Sequence, residues 1–229
     1  MRVSKGKNIL RYGILLGFLY IGLTFMGSTS AIGAIELGLI LSIMSLGIFI
    51  SFRVLNVPDA TIDGSFSLGT AVSAILTVNG YPLLGILLGM IAGAVAGSIT
   101  ALLQTKLKIQ PILAGILTMT ALYSINLRVM GKKPNVSLYM KGSIFSPFKE
   151  MFPAKVASIV IVGMILILLT LLLFVFLKTQ IGTALRATGD NEAMVRASSI
   201  NTDAMKVLGL AIANSLVALA GAIMAQYMQ

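Results

Sequence analysis

The chain contains no cysteine and no histidine. The first absence excludes disulfides, thiol nucleophiles and thiolate metal sites, and the second excludes imidazole ligands and histidine-based acid–base chemistry. Acidic residues are also scarce: there are seven, and they are dispersed along the chain. A membrane enzyme such as an acyl or phosphatidyl transferase would need acidic or histidine residues clustered at an interface. We therefore expect no catalytic residues, no metal site and no cofactor in this chain.

Charge of either sign is rare. Only 10% of the residues are charged and 57% are hydrophobic, whereas a soluble domain has about 25% charged residues. The charges cluster, and long uncharged runs separate the clusters. This pattern predicts an all-α membrane protein, a polytopic helical bundle with about six or seven membrane segments. The net charge of +10 is typical of cationic loops facing anionic lipid headgroups, and we expect no nucleic acid partner.

The uncharged runs predict the spans, because a helix needs about 20 apolar residues to cross a membrane. The short apolar segment Phe66–Val78 predicts a short, tilted or re-entrant helix. Five segments are the candidate spans: Leu37–Phe52, Pro82–Leu103, Pro111–Leu127, Val156–Leu177 and Val207–Tyr227.

Residues 1–30 form a separate N-terminal segment, in which a basic run precedes the apolar run Tyr12–Gly27. This run fits an additional span. It also fits a secretory signal peptide, because small residues follow it at Ser28–Ala31. Both interpretations stay open, although the topology is simplest with a retained span.

The distribution of Lys and Arg predicts the orientation, because cytoplasmic loops carry an excess of them. With seven crossings and a cytoplasmic N-terminus, 11 of the 17 basic residues lie inside. The other six lie outside, on and around one long loop, 130–154. We therefore expect a multi-pass protein of the bacterial plasma membrane with its N-terminus in the cytoplasm.

Small residues recur every four positions in the second of the clear spans. They form a bare stripe on one helix face, where another backbone can approach closely. The stripe is typical of ordinary helix packing, and a contact that slides during transport is the alternative. The glycines concerned are Gly85, Gly89, Gly93 and Gly97.

Ionisable residues within the spans are almost absent. A carrier driven by protons or sodium usually needs an embedded carboxylate or a broken-helix ion site. The chain also has no Gly-rich phosphate loop with a lysine, so we expect no nucleotide binding. If the protein transports a solute uphill, a partner must supply the energy.

The first informative loop is Asn56–Gly69. Pro58 prevents helix continuation, and Asp63–Ser65 predicts a turn and a cap for the next helix. The loop is either a capped turn at the cytoplasmic surface or a discontinuous element beside a translocation path. Asn126 either lines the same path or makes an interhelical hydrogen bond. The candidate path residues are Pro58, Asp59, Asp63, Ser65 and Asn126.

The second informative loop, 178–206, has the pattern of a short helix between two breaks. Gly189 predicts the first break, and Asp190 predicts a cap for a helix that ends near Ala197. Ser198–Ser199 predicts the second break, and Asn201 then caps the following span. Such a short amphipathic helix is suited to a partner's groove.

The stretch Gly182–Asn201 resembles the ATPase-contacting loop of permease subunits of bacterial ABC importers, in the branched-chain amino acid and ribose permease superfamily. The match runs through Gly182, Arg186, Ala187, Asn191, Ala193, Ala197, Ile200 and Asn201. It departs at Ser199, where the family usually has glycine. The segment Pro58–Phe66 resembles the subgroup associated with tryptophan or tyrosine uptake.

The resemblance implies a permease transmembrane domain over residues 31–229, with a cytoplasmic ATPase-docking loop at 178–206. It implies a second permease subunit, cytoplasmic ABC ATPases and an extracellular solute-binding protein as partners. Family members continue past the equivalent of Gln229, so we expect a chain truncated at its C-terminus. The implied docking residues are Gly182, Arg186, Ala187, Asn191, Glu192, Ala193, Met194, Arg196, Ala197 and Asn201.

The predicted function is therefore that of a permease subunit which forms the path for a small solute, an aromatic or branched-chain amino acid. The alternative is a stand-alone secondary transporter or channel, which would move solute without an ATPase.

Overall fold

The computed structural model describes residues 28–133, 136, 138, 142–145 and 154–228. The chain divides into two compact units, residues 1–38 and residues 39–229. In the first unit the described residues are the opening turns of one helix. The predicted N-terminal run Tyr12–Gly27 lies outside the described residues.

The described residues form helices and connecting turns, and no strand occurs in these ranges. The first helix continues directly into a π-helical segment, Phe49–Val54. The α-helices, in chain order, are α1 Ser28–Ile48, α2 Ile62–Val78, α3 Pro82–Thr105, α4 Pro111–Val129, α5 Ala154–Lys178, α6 Gln180–Asp190, α7 Glu192–Ala197 and α8 Thr202–Tyr227.

Five of the described helical stretches are long and apolar enough to cross a membrane. The predicted polytopic all-α fold is confirmed, and each of the five candidate spans coincides with one of these stretches. Helix α2 is the sixth apolar helix; its 17 residues give a length of about 26 Å, slightly less than the roughly 30 Å hydrocarbon core. The chain is thus a multi-pass membrane protein.

Helix starts follow the local sequence. Pro82 and Pro111 stand at the first positions of α3 and α4, where a missing N–H costs nothing and the fixed φ suits a helix. Helix α8 begins at Thr202, five residues before the predicted start, because the Asn201 side chain accepts a hydrogen bond from Ala204 N and caps it. The predicted cap at Asn201 is thus present.

Helix α8 is the centre of the second unit. In its most apolar stretch 67% of the residues are buried, against 11% for α5. It packs mainly on α3 and α2, and Leu210, Val217 and Ile223 on it are fully buried. Helix α5 instead exposes large apolar side chains such as Ile167, as expected for a lipid-facing helix.

The glycine stripe of α3 faces α2 and α8. A Cβ atom on Gly85 would lie 3.1 Å from Ser73 O, and one on Gly89 would lie 3.3 Å from the Ala222 side chain. On Gly93 it would lie 2.5 Å from Asn214 O, and on Gly97 it would overlap Leu210 O. The stripe therefore allows near backbone-to-backbone contact between α3 and α8.

Three local predictions are wrong. Asp63–Ser65 is not a turn before a helix: α2 begins at Ile62, and these residues form its first turn. Gly189 does not break the chain but lies inside α6, where a Cβ would overlap Val54 O. In both places glycine permits close packing, with Gly64 against α4 and Gly189 against the end of the π-helical segment. The break comes at Asn191, and Asn191, not Asp190, caps α7.

Candidate translocation path and cytoplasmic loop

A buried polar network joins the segment before α2 to α8. The Asp59 carboxylate accepts hydrogen bonds from Thr61 N at 2.8 Å and from Asn214 Nδ2 at 2.7 Å. Ser65 Oγ donates to Asn214 Oδ1 at 2.6 Å. Asp59 is 2% exposed, and Ser65 and Asn214 are fully buried. Asn214 thus connects the carboxylate to the first turn of α2.

The network extends to α3 through a contact between the Thr61 and Thr100 hydroxyls at 2.9 Å. Because each buried polar group in it has a partner, it stabilises one arrangement of α2 and its preceding segment with α3 and α8. Had one partner been missing, the unpaired group would cost about 1–3 kcal/mol.

The network also sets the depth of the chain break before α2. Asn214 lies 12 residues after Thr202, which corresponds to about 18 Å along α8. The irregular segment 55–61 therefore reaches the level of the middle of α8. Irregular backbone at such depth is tolerated where protein buries it or where it lines a wet cavity.

A cavity of about 360 Å³ lies on the other side of α2, between α2 and α4. We call it the α2–α4 cavity. Two candidate path residues, one from each helix, line it together. Its lining residues are Asp63, Gly64, Ser67, Met119, Thr120, Tyr123 and Asn126.

Helix α4 packs closely on α2 and on the segment that precedes α2. A Cβ on Gly64 would lie 3.1 Å from Met119 Cα, and one on Gly115 would lie 2.7 Å from Ala60 N. Larger side chains at these glycines would push the helices apart. The two glycines thus set the distance of α4 from α2 and its preceding segment.

Asn126 is 8% exposed. Its Oδ1 has no hydrogen-bond partner within the described part of the chain. A buried amide oxygen without a partner is costly, so such a group commonly marks a place where water or a ligand binds. The interhelical hydrogen bond that was the alternative for Asn126 is not present at this oxygen.

The five candidate path residues thus fall into two places. Asp59 and Ser65 lie in the buried network, while Asp63 and Asn126 line the α2–α4 cavity. Pro58 is half-buried in the break that precedes them. The partners Asn214, Thr61 and Thr100 were not predicted as site residues. An asparagine in the middle of an apolar helix is a signal for Asn214, but spacing in the sequence does not reveal its partners.

The cytoplasmic loop predicted at 178–206 folds as two helices, each with its own cap. Thr179 Oγ1 accepts from Gly182 N to cap α6, and Asn191 Oδ1 accepts from Met194 N to cap α7. Helix α7 ends at Ala197, and Ser199 then adopts a φ of +62°. This left-handed conformation is the one that glycine adopts at least cost.

Ion pairs attach α7 to the start of α8. Glu192 pairs with Arg196 at 2.9 Å and with Lys206 at 2.7 Å, and Arg196 also reaches Asp203 at 3.5 Å. The hydrogen bond from Lys206, with the positive charges of Lys206 and Arg196, lowers the pKa of Glu192 despite its partial desolvation. Glu192 therefore stays ionised at neutral pH and holds α7 against α8.

The candidate docking residues differ in exposure. Met194 is 69% exposed, whereas Val195, the α7 residue that turns inward, is only 5% exposed. Gly182 packs against Phe176 O at the end of α5. Ala187 is partly buried, and Arg186, Asn191, Ala193, Ala197 and Asn201 are exposed.

Comparison with known proteins identifies relatives along most of the chain. A family model described as "Branched-chain amino acid transport system / permease component" matches residues 30–229. The "Tyrosine transport system permease protein" of Clostridioides difficile (strain R20291) is 40% identical over 191 residues, 83% of this chain. "Uncharacterized protein RP368" of Rickettsia prowazekii (strain Madrid E) is 33% identical over 195 residues, 85% of this chain. This chain spans 62% of the first relative's length and 67% of the second's. No solved structure matches it.

Proposed function

The chain belongs to the family of branched-chain amino acid transport system permease components, and from that premise we propose that it is the membrane subunit of an ATP-driven amino acid importer. The observation that carries the proposal is the joint match of the family model and of a tyrosine transport permease over most of the chain. We assign an aromatic amino acid, tyrosine in the first instance, as the solute.

The proposal gives the chain no ATPase activity of its own. Hydrolysis takes place on separate cytoplasmic ABC ATPase subunits, a second permease subunit completes the path, and an external binding protein delivers the solute. Residues 31–229 form the permease domain in this assignment, with residues 1–30 as an extra N-terminal segment. The N-terminus and the loop 178–206 lie in the cytoplasm.

Helices α6 and α7 serve as the ATPase contact. Two observations support this role. Three ion pairs and two caps hold the loop in one shape, and Met194 stands out from it with most of its surface free. An exposed methionine on an ordered helix is suited to insertion into an apolar groove of a partner.

Co-purification of the permease with its ATPase tests the docking role. Met194→Glu places a charge at the proposed contact, and we expect it to reduce retained ATPase at least ten-fold. Leu107→Glu is the matched control, because Leu107 is 65% exposed in the turn between α3 and α4, which the proposed orientation also assigns to the cytoplasm. Equal retention by Met194→Glu and wild type would exclude docking through α7.

Uptake into proteoliposomes separates this proposal from a stand-alone carrier or channel. The assembled transporter should accumulate L-tyrosine in the vesicles only under two conditions. ATP must be enclosed in the vesicle lumen, which corresponds to the cytoplasm, and the binding protein must be present outside. Uptake by the permease alone would show that the chain needs no motor and would overturn the proposal.

A further inference from the structure

We propose that the α2–α4 cavity binds the α-ammonium group of the transported amino acid, through the Asp63 carboxylate and the Asn126 amide oxygen. This inference rests on the proposed function and deepens it by assigning one subsite of the path. The juxtaposition that carries it is one cavity lined both by an acidic side chain from α2 and by a buried amide with an unpartnered oxygen from α4.

The polar chemistry of the cavity favours a cation. None of its seven lining residues is basic. Asp63 supplies the negative charge, and Asn126 supplies a buried acceptor oxygen that has no hydrogen-bond partner in the described part of the chain. Thr120 Oγ1 already donates to Ile116 O and Leu117 O, so its oxygen is left to accept. A primary ammonium has three donors to offer such a set of acceptors.

The apolar part of the lining fits the rest of an amino acid. Met119 and the Tyr123 ring form the wall beside the polar groups. An aromatic ring can also attract a cation over its face. A volume of about 360 Å³ lies within the range of small-molecule sites, which starts near 300 Å³.

The depth of the cavity suits a transport site. Asp63 lies in the first turn of α2, directly after the break that the Asp59–Asn214 bond places level with the middle of α8. Transporters commonly bind solute near the membrane centre, beside helices that are interrupted there. The carboxylate of Asp59 is already satisfied by two donors, so Asp63 is the acidic group that remains open to a ligand in this region of the described chain.

The test uses the purified permease–ATPase complex without its binding protein, so that only the membrane site is measured. Saturation-transfer NMR detects weak binding of L-tyrosine and of p-hydroxyphenylpropionate, which has the same ring and carboxylate but no amino group. We expect a clear signal for L-tyrosine and at least a ten-fold weaker one for the deaminated analogue. Asp63→Asn and Asn126→Leu should remove the L-tyrosine signal, whereas Asp63→Glu should retain it.

Uptake by the assembled transporter is the second readout. Asp63→Asn and Asn126→Leu should lower L-tyrosine uptake at least ten-fold while the complex still assembles and hydrolyses ATP. Ser124→Leu is the matched control, because Ser124 is exposed on α4 and does not line the cavity. Uptake should not change when sodium is replaced by N-methylglucamine.

Three outcomes contradict the inference, and each has a different meaning. If the wild type transports L-tyrosine and both cavity variants transport it within two-fold, the subsite is wrong and the proposed function stands. If uptake needs sodium and Asp63→Asn removes that need, the cavity binds a metal cation instead. If the wild type imports no amino acid, the proposed function fails and the subsite falls with it.

Discussion

Single residues decide the local conformation of the loop 178–206. Ser199 has a φ of +62°, in the left-handed region that glycine adopts at least cost. The sequence predicted the break at Ser198–Ser199 correctly. It could not show which residue turns left-handed, because serine is compatible with several kinds of turn.

Ser199→Gly should stabilise the protein. A non-glycine residue in the left-handed region costs about 1–2 kcal/mol, and the substitution removes this cost. Glycine also has more conformational freedom in the unfolded chain, which offsets part of the stabilisation. We expect a net gain of roughly 0.5–1 kcal/mol, seen as a higher apparent midpoint of thermal unfolding in detergent. Ser198→Gly is the control, because Ser198 has a φ of −84° and donates to Met194 O. The midpoint of this control should fall; a rise in both variants would contradict the explanation.

At the residue scale the candidate path shows the limits of sequence reasoning. Pro58, Asp59, Asp63 and Ser65 are close in sequence, so they were predicted to share one site. Helix α2 begins between them, at Ile62, and its turns direct successive side chains to different faces. Asp59, before the helix, accepts a hydrogen bond from Asn214, 155 residues away, while Asp63, in its first turn, lines the α2–α4 cavity. Helix phase and long-range pairing decided the outcome, and neither can be derived from local composition.

Helical elements are the scale at which the sequence was most informative. Apolar runs bounded by proline, charge or capping residues predicted five spans, four of them within five residues of their observed bounds. The first span begins at Ser30, seven residues before the predicted start at Leu37. The misplaced start of α2 has a physical cause. Asp63, Gly64 and Ser65 favour turns in water, but inside the protein Gly64 is packed against Met119 and Ser65 bonds to Asn214, so tertiary contacts override the local preference.

The contact between α3 and α8 should depend on the size of one side chain. A Cβ on Gly97 would overlap Leu210 O and lie 2.8 Å from Asn214 Cβ. Backbone atoms cannot rotate away, so Gly97→Ala must separate the helices and should cost about 1–3 kcal/mol. The midpoint of thermal unfolding in detergent should fall by several degrees.

Gly163→Ala is the matched control for Gly97→Ala. Gly163 lies in α5 and a Cβ there would meet nothing within 4 Å, while alanine favours a helix over glycine by about 1 kcal/mol. We expect an unchanged or higher midpoint. Equal losses in the two variants would mean that the stripe on α3 has no special packing role.

At the scale of the whole molecule, the charge distribution predicts which loops face the cytoplasm. Lys133 follows α4 and Ser199 precedes α8, with α5 between them as a membrane span. The two positions must therefore lie on opposite sides of the membrane. The positive-inside bias assigns Ser199 to the cytoplasm and Lys133 to the exterior.

Cysteine labelling tests this topology without preparation of a special background, since the chain has no cysteine of its own. A membrane-impermeant maleimide should label Lys133→Cys in intact cells and Ser199→Cys only in inverted vesicles. Both side chains are exposed, so accessibility within the protein does not limit the reaction. Labelling of both from one side would mean that α5 does not cross, and the reverse pattern would mean that the orientation is inverted.

The contact between Gly189 and Val54 determines how a movement of α6 is transmitted to the rest of the protein. Helix α6 touches the carbonyl of Val54 backbone to backbone, and Asp59 follows only five residues later. Side chains at a contact can absorb a small movement by changing rotamer, but two backbones in contact cannot, and protein interiors transmit strain because they are hardly compressible. The contact leaves no room for relative movement, so a displacement of α6 has to move the end of the π-helical segment and, with it, the irregular segment 55–61 that follows.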